Sequence, residues 1–386
     1  MTEDLLKILT AVLELGALLG CIYLIFAARL AIRFTRLPLP DAGVQPPVSI
    51  LKPLCGEDPG LYENLLSFAE QDYPEFELVC GVQDPTDSAV AVVERLQRER
   101  PDLRIALVVD RRQRARNLKV ANLMNMLPSA RYDRLVMVDS DMRVRPDFLA
   151  AVAAPLEDAT VGLVTSLYRG RPASDAPWSV LGAQFINHAF LPQAVLGETL
   201  MPGQGCFGAS IAITRETLDA MGGFASVADT LADDNAMGVA VRGLGRRVLV
   251  STLVIDDWIG ETSLGGLFRH ELRWALTIRG VAPWGYLGSV VTHPVMLALL
   301  AALVGGFELI PLAVLLVALL GRFAMVRAID RALGLVATPW WRIPGRDALS
   351  FAVFCASFCT RTVAWRDHNF HIDSHGNVTG NGDPQA

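Results

Sequence analysis

The sequence has few lysines and no long run of basic residues. Among 34 basic residues only Lys7, Lys52 and Lys119 are lysine, and the formal net charge is −6. A protein that binds DNA or RNA usually carries a basic surface that neutralises phosphates. We therefore expect no nucleic-acid partner. The preference for arginine over lysine is typical of proteins from GC-rich bacterial genomes.

The sequence also lacks the short motifs of several common kinds of site. Its six cysteines include no CxxC pair, so neither a disulfide framework nor a zinc site is predicted. No GxGxxG and no GxxxxGK[ST] follows a predicted strand, which argues against a dinucleotide-binding Rossmann site and a P-loop NTPase. The globular part of the chain is expected to face a reducing compartment.

Apolar residues, in contrast, are abundant and concentrated near both ends. Hydrophobic residues make up 52% of the chain, and the mean hydropathy is +0.36. Residues 8–28 contain one charge, Glu14, and at about 1.5 Å per residue this run matches a hydrocarbon core of roughly 30 Å. A cleaved signal peptide has a shorter apolar region. Residues 1–36 are therefore predicted to form an amino-terminal transmembrane anchor.

The arginines that follow the first apolar run indicate its orientation. Arg29, Arg33 and Arg36 come directly after it. Positive charge beside a span favours the cytoplasmic side of the membrane. We therefore expect the next domain to be cytoplasmic, in a multi-pass protein of the bacterial inner membrane.

A carboxyl-terminal membrane region is predicted at residues 286–365. The Gly305-Gly306 pair divides its first part into spans near 286–306 and 309–329. A further stretch, 348–364, fits a span, a re-entrant segment or an interfacial helix. The region is therefore expected to contain two or three membrane segments.

The middle of the chain, residues 47–262, is predicted to be an α/β domain. Runs rich in β-branched residues alternate with helical patterns, which is typical of a mostly parallel sheet covered by crossover helices. The predicted strands are 48–54, 76–84, 104–110 and 134–144, and the helices lie around 59–70, 86–99, 117–127 and 146–156. In such sheets ligands bind beyond the carboxyl ends of the strands.

Carboxylates stand at the carboxyl ends of two predicted strands. Asp84 ends the second strand, and Asp139-Ser140-Asp141 ends the fourth. Because side chains alternate along an extended segment, Asp139 and Asp141 would point to one side and offer two oxygen ligands to Mg²⁺ or Mn²⁺. The alternative is that these residues only end a strand and begin a turn.

Two further groups lie later in the chain. Asp233 and Asp234 precede a helical pattern, where a helix N-cap is the structural alternative to a catalytic role. The sequence HELRW lies in an amphipathic segment predicted at 263–285, where an interfacial helix with snorkelling arginines and a tryptophan anchor is the alternative. A polar tail is predicted at 366–386.

The order of these motifs resembles one protein family. From its amino terminus the chain carries VSILKPLCGEDPGLYENL, QDYP, VQD, NLKVANLMNML, DSDMRV, ADD and HELRW, between an amino-terminal anchor and carboxyl-terminal membrane segments. This ordered set is similar to the ceramide glucosyltransferase family, including its bacterial branch associated with hopanoid lipids. The resemblance covers most of the chain and implies a GT-A nucleotide-sugar domain.

The resemblance also implies roles for individual residues. Asp84 would contact the uridine moiety, and Asp234 would be the catalytic base. Asp139 and Asp141 would hold Mg²⁺ or Mn²⁺ and the sugar diphosphate. The other matching positions are Lys52 and Lys119 as basic positions near phosphate, and Arg273 with Trp274 near the diphosphate and acceptor. The family box usually begins with glutamine or arginine where this chain has His270, so a role for that position stays open.

The implied activity is a metal-dependent, inverting transfer of a sugar from a UDP-sugar to a lipid hydroxyl at the membrane. The sugar would be N-acetylglucosamine or glucose. The acceptor would be a hopanoid polyol or, in a ceramide glucosyltransferase proper, ceramide. A polysaccharide synthase shares these motifs but would need more spans for a translocation channel. An inactive membrane scaffold is a third alternative, and intact Asp139, Asp141 and Asp234 argue against it.

Overall fold

The chain divides into two compact units. The computed structural model describes residues 2–40, 43–360, 362–365, 368–372 and 378–379. The sheet unit comprises Leu37–Ala183 and Gly197–Glu261. The helical unit comprises Met1–Arg36, Gln184–Leu196 and Thr262–Ala386.

The strands of the described residues belong to two sheets. The first sheet contains β1 to β8 and the second contains β9 to β11. In chain order the strands are β1 (Val48–Pro53), β2 (Phe76–Val82), β3 (Ile105–Val109), β4 (Arg134–Val138), β5 (Met142–Arg143), β6 (Val161–Pro172), β7 (Ser210–Thr214), β8 (Arg247–Ile259), β9 (Thr362–Trp365), β10 (His368–Ile372) and β11 (Val378–Thr379).

The helices cover the sheet or build the helical unit. In chain order they are α1 (Thr2–Phe34), α2 (Leu61–Ala69), α3 (Ala89–Glu99), α4 (Leu118–Met126), α5 (Phe148–Ala153), α6 (Pro177–Phe185), α7 (Leu191–Leu200), α8 (Arg215–Ala220), α9 (Asp233–Gly243), α10 (Leu264–Val281), α11 (Pro283–Gly288), α12 (Pro294–Val304), α13 (Leu309–Ala332) and α14 (Arg342–Ser357). Short 3₁₀-helices lie at Leu127–Ser129, Ala154–Glu157, Phe224–Val227 and Ser289–Thr292, and a π-helix at Ile186–Phe190.

The eight-stranded sheet has the order β3-β2-β1-β4-β7-β6-β8-β5. β2 pairs in parallel with β3 and β1, and β1 in parallel with β4. β6 and β8 are also parallel, whereas β7 runs antiparallel to both its neighbours and β5 runs antiparallel to β8. The predicted α/β class with a mostly parallel sheet is confirmed.

The central strands are buried on both faces. Ile50 and Leu51 of β1 point to opposite faces, and both have no exposed surface. On one face α2 contributes Leu65 and Phe68 to the same core as Ile50. Strands covered on both faces appear in sequence as continuous apolar runs, which is why the pattern predicted them. This core fixes the strand ends that carry the polar residues described below.

The fourth predicted strand, 134–144, is interrupted. β4 ends at Val138, and residues 139–141 turn before β5 begins. In this turn the hydroxyl of Ser140 donates a hydrogen bond of 2.5 Å to Asp58. The prediction of one extended segment is therefore wrong, and side-chain alternation along a strand does not place the two aspartates of the turn.

Two helices of the helical unit are long and apolar enough to cross a membrane. Among the described residues these are Glu3–Phe34, within α1, and Leu309–Ala332, which is α13. α1 packs against both α12 and α13. At Gly20 the approach is so close that a Cβ atom would lie 2.3 Å from the carbonyl oxygen of Val291. A larger residue at this position would therefore separate the packed segments.

The helix predicted near 286–306 is bent. The segments Pro283–Thr292 and Pro294–Val304 meet at an angle of 68°, because Pro294 has no N–H and cannot continue the preceding turn. The pair is a broken span or a re-entrant segment, in place of the straight span expected. The turn expected at Gly305-Gly306 follows α12, and Gly306 has a φ of 64°.

The last predicted segments lie partly outside the described residues. The stretch expected at 348–364 falls mainly on α14, which begins earlier, at Arg342. Within the tail expected at 366–386 the structure describes only β10 and β11. The remaining tail residues lie outside the described part of the chain.

A buried polar network lies inside the helical unit. Arg322 donates two hydrogen bonds of 2.8 and 3.0 Å to one carboxylate oxygen of Asp347. It also donates to the carbonyl oxygen of His188, at 2.8 Å, within the π-helix. Nε2 of His188 lies 2.7 Å from a carboxylate oxygen of Asp330. Charged groups on an apolar helix are costly unless paired, and here each has a partner.

Candidate active site

A buried lysine forms a hydrogen bond to the backbone of the turn at residues 139–141. Lys52 of β1 has no exposed surface, and its ammonium donates a 2.5 Å hydrogen bond to the carbonyl oxygen of Asp139. The same ammonium lies 4.2 Å from the centre of the Phe68 ring. Burial lowers the pKa of Lys52 to about 8, although Asp141 and Asp139 oppose this change. Lys52 therefore supports the turn itself.

A second lysine pairs with the side chain of the turn. Lys119 Nζ lies 2.6 Å from a carboxylate oxygen of Asp139 and 3.9 Å from one of Asp233. Burial alone would lower the pKa of Lys119, but Asp139, Asp233 and Asp234 together raise it above its usual value. The lysine is therefore a permanent cation between the two acidic groups.

The start of α4 positions this lysine. Asn117 is the N-cap, and its side-chain oxygen accepts hydrogen bonds from the amides of Lys119 and Val120. A side chain of this kind satisfies backbone donors that the first helical turn leaves unpaired. The amide group of Asn117 also donates to the carbonyl oxygen of Thr230 at 3.0 Å and to Asp233 at 3.3 Å. One residue thus joins the helix to the segment before α9.

Asp141 carries a buried oxygen without a hydrogen-bond partner among the described residues. Burial, together with the charges of Asp139 and Asp58, raises the pKa of Asp141 to about 7. A buried carboxylate oxygen that no donor satisfies is expensive, and a divalent cation would relieve this cost. The residues therefore fit Mg²⁺ or Mn²⁺. Among the described residues no three His, Cys, Asp or Glu side chains are already arranged as a metal site, so oxygens of a substrate would have to complete one.

Asp257 of β8 is an acidic neighbour that sequence reasoning missed. It lies opposite Met142 in the pairing of β8 with β5, and it is 3% exposed. The next residue, Trp258, donates its amide to the carbonyl oxygen of Asp141 at 3.0 Å. Burial raises the pKa of Asp257 well above its usual value, and Asp141 and Asp139 add to the shift. Adjacent acids inside the run VIDDWI were the available signal.

Asp234 occupies the first turn of α9. The N-cap of this helix is Ala232, without a side-chain hydrogen bond, so neither aspartate occupies the N-cap position, although Asp234 accepts a 2.7 Å hydrogen bond from the first-turn amide of Asn235. Its carboxylate accepts a 2.8 Å hydrogen bond from the amide of Gly208. A Cβ atom at Gly208 would lie 3.2 Å from this oxygen. Burial, together with the charge of Asp233, raises the pKa of Asp234 to about 6.

The two acidic groups belong to one site in the sheet unit. The charges of both Asp139 and Asp234 raise the pKa of Lys119. The pKa of Tyr168 in β6 is also raised well above its usual value. Burial is the main cause, and the neighbouring carboxylates that add to it are Asp257, Asp234, Asp139 and Asp141. The structure thus brings together the predicted residues from β4, α4 and α9.

Asp84 is more exposed than the other predicted site carboxylates and contacts different residues. It follows the end of β2, and its side chain is 61% exposed and 3.8 Å from Arg111. One carboxylate oxygen accepts hydrogen bonds of 2.8 Å from both the amide and the hydroxyl of Thr86. These two bonds lower the pKa of Asp84. An ionised, accessible acceptor therefore lies at this strand end.

Arg273 and Trp274 lie on α10, in the helical unit. The ring of Trp274 has its centre 5.9 Å from that of Phe185 and 6.4 Å from that of Phe190. His270 packs against the same ring in an edge arrangement at 4.6 Å. The departure from the family box at His270 therefore corresponds to a packing contact with Trp274.

An ion pair beside this helix face was not predicted. Glu271 is buried and accepts hydrogen bonds of 2.7 and 2.6 Å from Arg346 of α14. The guanidinium group of Arg346 also lies 5.5 Å from the centre of the Phe185 ring. A face of α10 is therefore buried against other helices of its own unit, which an interfacial helix resting only on lipid would not show.

Comparison with known families identifies the group to which these residues belong. Residues 12–378 match the profile of Glycosyl transferase family 21. The chain belongs to this family.

Two relatives of known name are similar to this chain. It is 27% identical over 233 residues to ceramide glucosyltransferase 1 of Caenorhabditis elegans, and the match covers 59% of this chain and 49% of that protein. It is 26% identical over 259 residues to ceramide glucosyltransferase 3 of the same organism, covering 66% and 56%. The chain thus spans about half the length of these relatives.

A solved structure supports the fold of this family 21 protein. The mannosyltransferase PcManGT from Pyrobaculum calidifontis, in complex with GDP-Man and Mn²⁺, is 23% identical with a TM-score of 0.52. The match covers 90% of this chain and 99% of that one. The likeness confirms the GT-A fold, and family membership confirms the resemblance to ceramide glucosyltransferases. The roles that this resemblance implies for single residues stay predictions.

Proposed function

We propose that this protein is a membrane-bound, inverting glycosyltransferase that moves a sugar from a UDP-sugar to the hydroxyl of a lipid. The sugar is N-acetylglucosamine or glucose, and the acceptor is a hopanoid polyol or ceramide. The observation that carries the proposal is the half-buried Asp234 carboxylate, with its raised pKa, in the same site as Asp139, Asp141 and Lys119.

Asp234 is proposed as the base that accepts the proton of the acceptor hydroxyl. A base works best when its pKa lies near the working pH, and about 6 for Asp234 meets this condition. The hydrogen bond from the Gly208 amide fixes one carboxylate oxygen. The hydroxyl then attacks the sugar carbon on the face opposite the diphosphate. One base and one displacement invert the configuration, so no covalent nucleophile is required.

Asp139 and Asp141 are proposed to hold the divalent cation and the sugar diphosphate. When bound, Mg²⁺ or Mn²⁺ supplies positive charge that stabilises the departing diphosphate. Lys119 adds a fixed ammonium to the same site, since Asp139 and Asp233 keep it protonated. The ion pair with Asp139 also restrains the lysine side chain. The leaving group would therefore meet a cation that needs little rearrangement.

The remaining residues are proposed to bind the two substrates. Asp84 accepts a hydrogen bond from uridine, for which its exposure and ionised state are suitable. Arg273 and Trp274 contact the diphosphate or the acceptor. The apolar helices hold the enzyme in a bacterial cell membrane with the GT-A domain on the cytoplasmic side, where both UDP-sugars and the lipid hydroxyl are accessible.

The experiment is a matrix of donors and acceptors. Full-length protein in lipid nanodiscs is incubated with UDP-glucose or UDP-N-acetylglucosamine and with ceramide, a hopanoid polyol or neither, and products are identified by mass spectrometry. We expect one glycolipid, with the anomeric configuration inverted relative to the donor. The exposed Asp229→Asn substitution serves as a control that should leave the product unchanged. A retained configuration, or no lipid product from any pair, would contradict the proposal.

A further inference from the structure

Two buried carboxylate oxygens of the site have no hydrogen-bond partner among the described residues. They are Oδ1 of Asp141 and Oδ1 of Asp257. The residues lie on neighbouring chain segments, since Asp257 pairs with Met142 and the amide after Asp257 bonds to the carbonyl of Asp141. Each of these oxygens has lost its water without gaining a donor, and the charge of Asp141 adds to the burial that raises the pKa of Asp257. A positive ligand bound by both carboxylates would offset these costs.

The neighbouring aspartate on β8, Asp256, differs from Asp257 in that its carboxylate is paired with arginines. Asp256 accepts charged hydrogen bonds from Arg169 and from Arg171. Adjacent residues of a strand point to opposite faces, so Asp257 faces away from these arginines. Of the two adjacent carboxylates, one is neutralised by the protein and the other is not.

Asp139 and Asp141 show the same contrast: the carboxylate of Asp139 is paired with a cation of the protein, whereas Asp141 has an unpartnered oxygen. Its side chain is 34% exposed and pairs with the ammonium of Lys119 at 2.6 Å. A cation bound by Asp139 would have to approach this ammonium closely. The oxygens of Asp141 and Asp257 face no such competition from a hydrogen-bond donor, because each retains an unpartnered Oδ1.

We propose that Asp257 is a further protein ligand of the divalent cation, beside Asp141, and that the main contribution of Asp139 is to hold Lys119 against the diphosphate. This inference rests on the proposed nucleotide-diphosphate donor and names the residues that hold its cation. Hard cations such as Mg²⁺ are commonly bound by one or two carboxylates, with phosphate oxygens and water in the other positions. Two carboxylates and a diphosphate meet this requirement.

The test measures Mn²⁺ binding by electron paramagnetic resonance, with UDP present and no lipid acceptor. The full-length protein is compared with Asp257→Asn and with Asp256→Asn, which removes the adjacent carboxylate and the same amount of charge. We expect Asp257→Asn to weaken Mn²⁺ binding at least about 10-fold, and Asp256→Asn to change it less than about threefold. Asp139→Asn should weaken Mn²⁺ binding less than Asp257→Asn does.

Thermal unfolding separates a ligand from a structural residue. Without metal, Asp257→Asn should leave the Tm unchanged or raise it, because the substitution breaks no hydrogen bond of the buried Oδ1 and removes the cost of ionising this group. It should also abolish the rise in Tm that Mn²⁺ and UDP cause in the unmodified protein. Both results together support the inference.

Three outcomes overturn the inference. One is Mn²⁺ affinity of Asp257→Asn equal to that of the unmodified protein, which leaves the proposed function intact. Another is a lower Tm of metal-free Asp257→Asn with an unchanged shift on adding Mn²⁺ and UDP. The third is failure of the unmodified protein to bind Mn²⁺ with UDP at all, which would also overturn the proposed donor.

Discussion

The ammonium of Lys119 lies 2.6 Å from the carboxylate of Asp139. This contact joins the first turn of α4 to the turn that follows β4, and the cap residue Asn117 extends the connection to the segment before α9. The position of Lys119 is therefore fixed by Asp139, which pairs with its ammonium, and by Asn117, which caps its helix. A cation held in this way is preorganised for a negatively charged leaving group.

Replacing Asp234 by asparagine separates binding from chemistry. The side chain keeps its size but cannot accept the hydroxyl proton, so we expect turnover to fall by roughly 10²- to 10⁴-fold. The affinity for the UDP-sugar should change only a few-fold. Steady-state kinetics and donor titration measure the two quantities. Normal turnover, or a large loss of donor affinity, would show that Asp234 is not the base.

Replacing Asp84 by alanine should have the opposite effect. Loss of a hydrogen bond to uridine weakens donor binding, by about 10-fold, while turnover at saturating donor stays close to normal. Calorimetric titration with UDP measures the change. Glu57→Ala, another exposed carboxylate of the sheet unit, is the control. Unchanged UDP affinity in Asp84→Ala would remove this residue from the binding site.

Removal of the metal should stop the reaction. Excess EDTA should abolish glycolipid formation, and Mg²⁺ or Mn²⁺ should restore it, because the departing diphosphate needs a counter-charge. Asp141→Ala should lose activity that no metal concentration tested restores. Radiolabelled sugar incorporated into lipid gives the rate. Full activity in excess EDTA would refute metal dependence.

The activity should depend on pH through Asp234. The proposed base must be ionised, so kcat/KM should fall tenfold per unit as the pH decreases below about 6. Because Asp233 raises the pKa of Asp234, Asp233→Asn should move this decrease to lower pH. The kcat/KM of both proteins is measured from pH 4.5 to 8. A decrease at the same pH in both would contradict the assignment.

The orientation of the first span can be tested directly. Arg29, Arg33 and Arg36 lie at the end of α1 or directly after it, so a reporter fused after residue 40 should lie in the cytoplasm. Fluorescent protein should be bright at this position and alkaline phosphatase inactive. Both reporters are fused before residue 1 for comparison, where the opposite result is expected. An active phosphatase after residue 40 would reverse the topology.

The central part of the fold was predictable because its strands are buried on both sides. Val48–Pro53 and Phe76–Val82 read as apolar runs of the length of a strand. The acidic residues at the strand ends were visible for the same reason. Periodicity carries no information about partners in space, however. It could not show that β5 pairs with β8 and so brings Asp257 beside the turn.

Local signals also failed where a tertiary contact decides the conformation. The turn at residues 139–141 depends on Lys52, which lies 87 positions earlier in the chain. Hydropathy likewise predicted one helix where Pro294 divides two, since the scale averages over the residue that breaks the helix. The buried pair of Glu271 and Arg346 joins helices far apart in sequence, and neither residue alone indicates its partner.

The distribution of the three lysines has a practical consequence for chemical modification. Lys52 has no exposed surface, and Lys119 is mostly buried and paired with carboxylates. Lys7 is 71% exposed at the start of α1. Among the lysines, an amine-reactive ester will therefore modify Lys7. Attachment of a dye or a solid support through this residue should leave the acidic site free of label, so that lysine coupling tethers the enzyme by the beginning of its first helix.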